Sequence, residues 1–243
     1  MIYSYLSRTE VGLKRFDNED AIGIQEISGG LLAIVCDGLG GNKAGEVASN
    51  LAIETVINDF IEIPNSIDWL EKIRISLSDA NKAVYEKSLS NFEYKGMATT
   101  AEVLFLKDDS AYWGHVGDSR IYLFKNNKIQ KLTKDHSLVQ KLLDEGYLTI
   151  KEAENHPNKN IIMRAVGEQP DLDIDLSKQK NNNNDQNKYF LCSDGVTAVI
   201  NDEELQDILR NTDLEVISDT LYKLIIERGA PDNFSFIIIS TGE

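Results

Sequence analysis

The chain alternates short apolar runs with stretches of helical period. AIGIQEI (21–27), LLAIVC (31–36), AEVLFL (101–106), AYWGHV (111–116), RIYLF (120–124), YFLCS (189–193) and FSFIIIS (234–240) have the length and the β-branched and aromatic content of strands. Ser28-Gly29-Gly30 joins the first two runs and Lys107-Asp108-Asp109-Ser110 the next two, both with turn chemistry, so sequential hairpins and antiparallel sheets are expected. From Ala44 to Phe60, apolar residues at Ala44, Val47, Ala48, Leu51, Ala52, Val56 and Phe60 predict an amphipathic helix, and a second fits Ile67 to Leu89. Thr149 with Glu152, and Asn201 with Glu204, read as capping boxes that start two more. A last helix spans Leu214 to Glu227 and stops at Gly229 and Pro231. KQKNNNNDQNK (178–188) carries no apolar residue and reads as a solvated hairpin loop. No repeat and no Pro- or Ser-rich linker divides the chain, so one domain over 1–243, with helices outside antiparallel sheets, is expected.

Composition narrows the partners. Among 243 residues, 40 Asp and Glu oppose 25 Lys and Arg, a formal net charge of -15 that repels polyanions and argues against nucleic acid. The same surplus allows some carboxylates to be held by cations. Cys36 and Cys192 lie inside apolar runs without C-x-x-C spacing and read as reduced core residues. The N-terminus has no apolar h-region, and no stretch approaches the ~18 apolar residues of a membrane span. A cytoplasmic protein without membrane insertion is the expectation.

Four aspartates stand out by their places relative to strands. Asp20 immediately precedes the run 21–27 and Asp37 immediately follows its hairpin partner, which sets them opposite each other at the open end of the hairpin. Asp194 follows YFLCS, and Asp232 lies two residues before FSFIIIS. If those strands neighbour one another, all four carboxylates gather at one edge. Two like charges about 4 Å apart repel by roughly 4 kcal/mol at an effective dielectric near 20. Such a group therefore needs protons or cations, and an all-oxygen donor set beside Gly38 and Gly195 suits Mg²⁺ or Mn²⁺ better than zinc. A single Asp-Gly after a strand is ordinarily only a turn; four at one edge point to a metal centre. Asp118, in Gly117-Asp118-Ser119-Arg120, reads equally as a fifth ligand or as a turn residue. Arg15, close to the same edge, reads either as half of a solvated basic pair with Lys14 or as a two-point phosphate clamp.

Competing motifs fail in detail. LLAIVC-DGLGGNKAGEVAS reads strand, Gly-rich turn, helix, but Lys43 occupies the third glycine position of a dinucleotide fingerprint and no Ser or Thr follows a Gly-Lys. His115, His136 and His156 share no ligand spacing, and His115 reads as a hydrogen-bonded core residue. Ser193 has no G-x-S-x-G elbow.

Arg15-Phe-Asp-Asn-Glu-Asp20, Asp37-Gly-Leu-Gly-Gly41, Gly96-Met-Ala-Thr-Thr100, Gly117-Asp-Ser-Arg120, Leu132-Thr-Lys-Asp-His136, Cys192-Ser-Asp-Gly195 and Pro231-Asp-Asn233 follow one another in the order seen in metal-dependent serine/threonine protein phosphatases of type 2C. The chain resembles the compact bacterial members of that family over nearly its whole length. The resemblance implies an α+β fold, a central sandwich of two antiparallel sheets flanked by helices, with a two-metal centre at one edge. By position, Asp37 would bridge both ions, the Gly38 carbonyl would bind one, Asp194 and Asp232 would hold the other, and Asp20 would act through water. Asp118 would hold a third ion with Asp194, Arg15 would bind phosphate, and a flap would span about 143–165. Many eukaryotic relatives carry a histidine, the suggested general acid, where this chain has Leu39, which cannot donate a proton; the bacterial D-G-x-G-G pattern lacks that histidine too, and metal-bound water is the expected acid.

The implied function is hydrolysis of phosphoserine and phosphothreonine in proteins by a water activated between two Mn²⁺ or Mg²⁺ ions. Bacterial relatives commonly oppose serine/threonine kinases, so a kinase is an expected partner.

Overall fold

Both faces of the central strands are covered, which is why LLAIVC and AEVLFL are unbroken apolar runs rather than alternating ones. Leu31, Ala33 and Val35 turn toward a core between two sheets, while Leu32, Ile34 and Cys36 turn toward a helix layer. The computed structural model describes residues 2–40, 44–154, 156–181 and 187–242. With strands numbered along the chain, one sheet contains β1 (Ile2–Glu10), β7 (Arg120–Lys125), β8 (Lys128–Lys131), β10 (Asn187–Cys192) and β11 (Phe234–Gly242), in the order β1-β11-β10-β7-β8. The other contains β2 (Asp20–Ile27), β3 (Gly30–Leu39), β5 (Ala101–Lys107), β6 (Ser110–Val116) and β9 (Asp175–Lys180), in that order, with the two-residue β4 (Ala98–Thr99) beside the end of β3. Every pairing is antiparallel. Leu104, Leu106 and Trp113 of one sheet meet Leu123, Leu191 and Ile237 of the other in the shared core.

Helices α1 (Ala44–Glu62) and α2 (Trp69–Ser90) cover the outer face of the β2–β9 sheet. The short α5 (Asp194–Thr197), α6 (Asp202–Leu209) and α7 (Leu214–Glu227) cover the other. Between β8 and β9 run α3 (Leu138–Asp144), which ends where the expected flap begins, and α4 (Ile150–Glu154), which lies inside the stretch 143–165 expected to form it. Both expected capping boxes form: Glu152 Oε2 accepts from Thr149 N at 2.8 Å and Thr149 Oγ1 accepts from Glu152 N at 3.4 Å, and Asn201 and Glu204 exchange the same pair.

Two expectations need correction. The polar stretch 178–188 is not a hairpin, because β9 and β10, which flank it, belong to different sheets; residues 182–186 of it lie outside the described residues. Lys178 and Lys180 at its start are exposed, as a solvated stretch should be, but the residues bordering 182–186 are not. Asn181 is buried and its Oδ1 accepts from Tyr189 Oη at 2.8 Å and Asn187 Nδ2 at 3.3 Å, so polar side chains enter the interior by satisfying one another. The strand β1 was not expected, because IYSYLSRTE has neither an apolar run nor a regular alternation, its second half being entirely polar, and it lies at the sheet edge. Asn126 and Asn127, both at positive φ (52° and 60°), make the hairpin turn between β7 and β8.

Phe105 is fully buried and packs on Phe60 and Trp69, with centroids 5.3 and 4.7 Å away, tying β5 to both outer helices. Phe105→Ala should lower unfolding free energy by about 3–5 kcal/mol, read as a shift in the denaturant midpoint; a change under about 1 kcal/mol would contradict this packing.

Candidate active site

At one end of the sandwich the strand termini present carboxylates from both sheets. Asp20 and Asp37 are direct register partners at the open end of the β2–β3 hairpin, as its turn chemistry requires. Asp194 begins α5 immediately after β10, and Asp232 precedes β11, on the opposite sheet. The gathering is therefore across the two sheets rather than along the edge of one. Across the sheets Asp194 lies near enough to Asp37 that its charge helps raise the Asp37 carboxyl.

Close backbone approach builds the site. Gly38 N donates to Glu19 O at 3.1 Å, and a Cβ on Gly38 would collide with the Gly45 backbone at the start of α1. At Gly195 a Cβ would strike the Asn233 carbonyl oxygen, so glycine is what lets α5 lie against the 232–233 turn. Thr99 and Thr100 hold Asp37: Thr100 Oγ1 accepts from Asp37 N and Thr99 Oγ1 donates to Asp37 O, both at 2.9 Å. Thr100 also shares a 2.8 Å hydroxyl contact with Ser119, which links the Asp37 strand to the turn carrying Asp118.

The electrostatics follow from burial. Asp20 is 6% exposed, accepts from Ser193 Oγ at 2.7 Å, and is pushed up to about 7 by burial and by the charges of Asp194 and Asp232, against its hydroxyl bonds. Burial and the neighbouring Asp20, Asp194, Asp118 and Asp232 also raise Asp37 well above the carboxylate range. Asp194 is raised by burial and by Asp232. Asp118 is pushed up to about 7 by burial and by Asp194 and Asp135, and its Oδ1 is buried without a partner. Arg15 reaches across to Asp232, Nη2 to Oδ2 at 2.9 Å, with half of its side chain in water. Among the described residues no three His, Cys, Asp or Glu side chains form a ready-made cage. Asp232 is tied instead to Arg15, and Asp20 to Ser193. A cluster this short of positive charge, with an all-oxygen donor set and an orphaned Asp118 oxygen, fits hard divalent cations.

Sequence reasoning missed the residues that hold this arrangement. Asn233 is the central one: its Nδ2 donates to Val11 O at 2.8 Å and Asp17 O at 2.9 Å, and its Oδ1 accepts from Glu19 N at 2.9 Å. It thereby moors the segment bearing Arg15 and Asp20 to the Asp232 turn. No spacing rule reveals this, because its partners are all backbone atoms more than two hundred positions away. Behind Asp118, Gly117 N donates to His136 Nδ1 at 3.1 Å, and His136 N donates to Gly117 O at 2.7 Å. His115 is the buried, hydrogen-bonded residue expected; its Nε2 donates to Lys134 O at 2.8 Å and its Nδ1 makes a short bond to the fully buried Glu102. Burial pushes Glu102 up to about 7, and His115 is raised because Glu102 and the Lys134 carbonyl outweigh the opposing pull of burial.

The model for the family described as protein phosphatase 2C matches residues 14–222. The chain belongs to the protein phosphatase 2C family. It is 34% identical over 242 residues to the protein phosphatase PhpP of Streptococcus pneumoniae, covering 97% of this chain and 96% of PhpP. Among solved structures, the serine/threonine phosphatase Stp1 from Staphylococcus aureus superposes with a TM-score of 0.92 at 33% identity, covering 100% of this chain and 96% of that one. The catalytic domain of PstP in complex with two manganese ions superposes with a TM-score of 0.88 at 29% identity, covering 99% of each chain. The α+β sandwich expected from the resemblance is thus the fold of the family, and its activity as a serine/threonine protein phosphatase stands on that membership.

The raised carboxyls give a pH dependence of defined sign. Protons bind Asp20 and Asp118 more tightly in the folded chain than in the unfolded one, so without cation these groups favour folding at acid pH, and that support fades as pH rises from about 4 through about 7. Divalent cations compete with the same protons. Thermal unfolding with and without Mn²⁺ should therefore show a cation-induced rise in Tm that grows between about pH 5 and pH 8; an equal rise at both ends would contradict it.

Proposed function

We propose that this serine/threonine protein phosphatase holds two Mn²⁺ or Mg²⁺ ions at the end of the sandwich, with Asp37 and the Gly38 carbonyl on one side and Asp194 and Asp232 on the other, Asp20 acting through water. The observation that carries the reading is geometric: the register partners Asp20 and Asp37 of one sheet meet the Ser193-Asp194 and Asp232 ends of the other, with Ser193 Oγ on Asp20, and burial raises Asp20, Asp37 and Asp194. The manganese pair of the PstP catalytic domain supports it by analogy. Asp118, whose Oδ1 lacks a partner and whose charge is felt alongside Asp194, is proposed as part of a third site. When bound, the paired ions supply a lowered water pKa and a counter-charge for the phosphoryl oxygens.

The chain's own residues do the positioning. Arg15, half in water beside Asp232, presents a guanidinium that can grip two phosphate oxygens at once. Asp232 orients that guanidinium, and Asn233 holds the backbone from which it projects. Ser193 Oγ donates to Asp20 and accepts from Ser235 N at 3.0 Å, which keeps the Asp20 carboxyl aimed across the sheets. Leu39 offers no proton, so the leaving alkoxide takes its proton from another donor. Further parts of the reading are that residues 1–243 act as one catalytic domain, that 143–165 borders the substrate groove, and that the substrates are phosphoproteins including a serine/threonine kinase. No helix among the described residues is long and apolar enough to cross a membrane, which is compatible with a cytoplasmic setting.

Asp37→Asn should bind Mn²⁺ far more weakly and lose nearly all phosphate release from a phosphothreonine peptide while remaining folded. Calorimetric metal titration beside a phosphate-release assay checks this, and wild-type turnover with intact metal binding would overturn the assignment. Arg15→Ala removes a charged two-point contact worth about 1.5–3 kcal/mol, so KM for the peptide should rise about tenfold to a hundredfold; unchanged KM and kcat would remove Arg15 from the site.

A further inference from the structure

The residue after Arg15 is the most exposed large apolar side chain among those described: Phe16 keeps 98% of its surface in water. Its backbone is far from loose. Before it, Leu13 N donates to Ala230 O at 2.9 Å and Asn233 Nδ2 donates to Val11 O; after it, Asn233 Nδ2 donates to Asp17 O and Asn18 Nδ2 donates to Thr9 Oγ1 at 2.8 Å. Gly12 presses so closely on the Asp232 carbonyl that a Cβ there would collide with it. Arg15 itself is fastened to Asp232. The turn is therefore pinned on both sides of a ring that touches nothing, and Leu13, 57% exposed, adds apolar surface to the same turn.

An aromatic ring held in water on a fixed frame forgoes burial in the fold and loses little freedom when a partner covers it. Its neighbour in sequence is the guanidinium assigned to the phosphate. We propose that Phe16 is a specificity-determining residue, an aromatic platform on which an apolar side chain next to the phosphorylated residue of a peptide substrate packs while Arg15 holds the phosphate. This rests on the phosphatase reading above and adds the chemistry of the flanking residue. An apolar flank suits the ring better than an acidic one, because Phe16 has no donor to offer, Asp17 follows it, and the whole chain carries a charge of -15.

The test uses phosphothreonine peptides identical except for leucine, serine, aspartate or lysine at the positions flanking the phosphothreonine, with wild type, Phe16→Ser and Phe16→Leu. Because the ring makes no contact with the fold, the variants should unfold as wild type does. Wild type should prefer the leucine-flanked peptide over the serine-flanked one about tenfold in kcat/KM, a discrimination of about 1.4 kcal/mol carried by KM. Phe16→Ser should abolish that preference and Phe16→Leu should restore part of it. A wild type indifferent to the flank, a preference for the aspartate or lysine flank, or a leucine preference that survives in Phe16→Ser would each overturn the platform. Phosphate release from p-nitrophenyl phosphate separates the two failures. Active enzyme without flank discrimination sinks the platform alone, whereas no release from any substrate sinks the phosphatase reading and the platform with it.

Discussion

The arrangement of this molecule turns on mutual repulsion among carboxyl groups withdrawn from water. Asp20, Asp37, Asp118 and Asp194 sit where strand ends from two sheets meet, and each is driven toward its protonated form by burial and by neighbouring aspartates, for Asp194 by Asp232. Such crowding opposes folding in the absence of positive charge, so the rest of the domain must hold these ends together against it. The apolar core between the sheets supplies that restraint, because Leu31, Val35, Leu191 and Ile237 fix the strands on which the acids stand.

Around that tension the polar contacts divide the labour. Threonines 99 and 100 pin Asp37 from one side, Ser193 and Ser235 steady Asp20 from the other, and Asn233 moors the Arg15 segment to the turn before β11. None of these groups carries a charge, so none alters the charge balance that cations must complete. Among the described residues it is Arg15 that pairs with the cluster, through Asp232, and half of its side chain stays in water.

Much of this was legible in the chain. Runs such as LLAIVC and FSFIIIS, doubly covered, declared themselves as strands, and the two capping boxes marked helix starts to the residue. Asp20 and Asp37 could be set opposite each other because one precedes and the other follows the paired runs of a hairpin; the turn proves one residue shorter than expected, Ser28-Gly29, with Gly30 already in β3. What pattern could not convey was which sheet each strand joins. The polar stretch before β10 looked like a hairpin loop, yet it carries the chain from one sheet to the other, and the acids consequently converge across the sandwich. The edge strand β1 and the roles of Asn233 and His136 were equally hidden, since each depends on partners distant in sequence and on backbone atoms that no residue type advertises.

The Glu102–His115 pair has a consequence for how this sequence can change over time. Each partner is interred, and the bond between His115 Nδ1 and the Glu102 carboxyl is what compensates their shared burial. Replacing one alone strands an ionisable group in an apolar interior, while exchanging both for aliphatic residues removes that problem but leaves the Lys134 carbonyl without the donor that His115 Nε2 supplies. The two positions are thus expected to change together rather than singly, with the segment around Lys134 as a third party to the exchange.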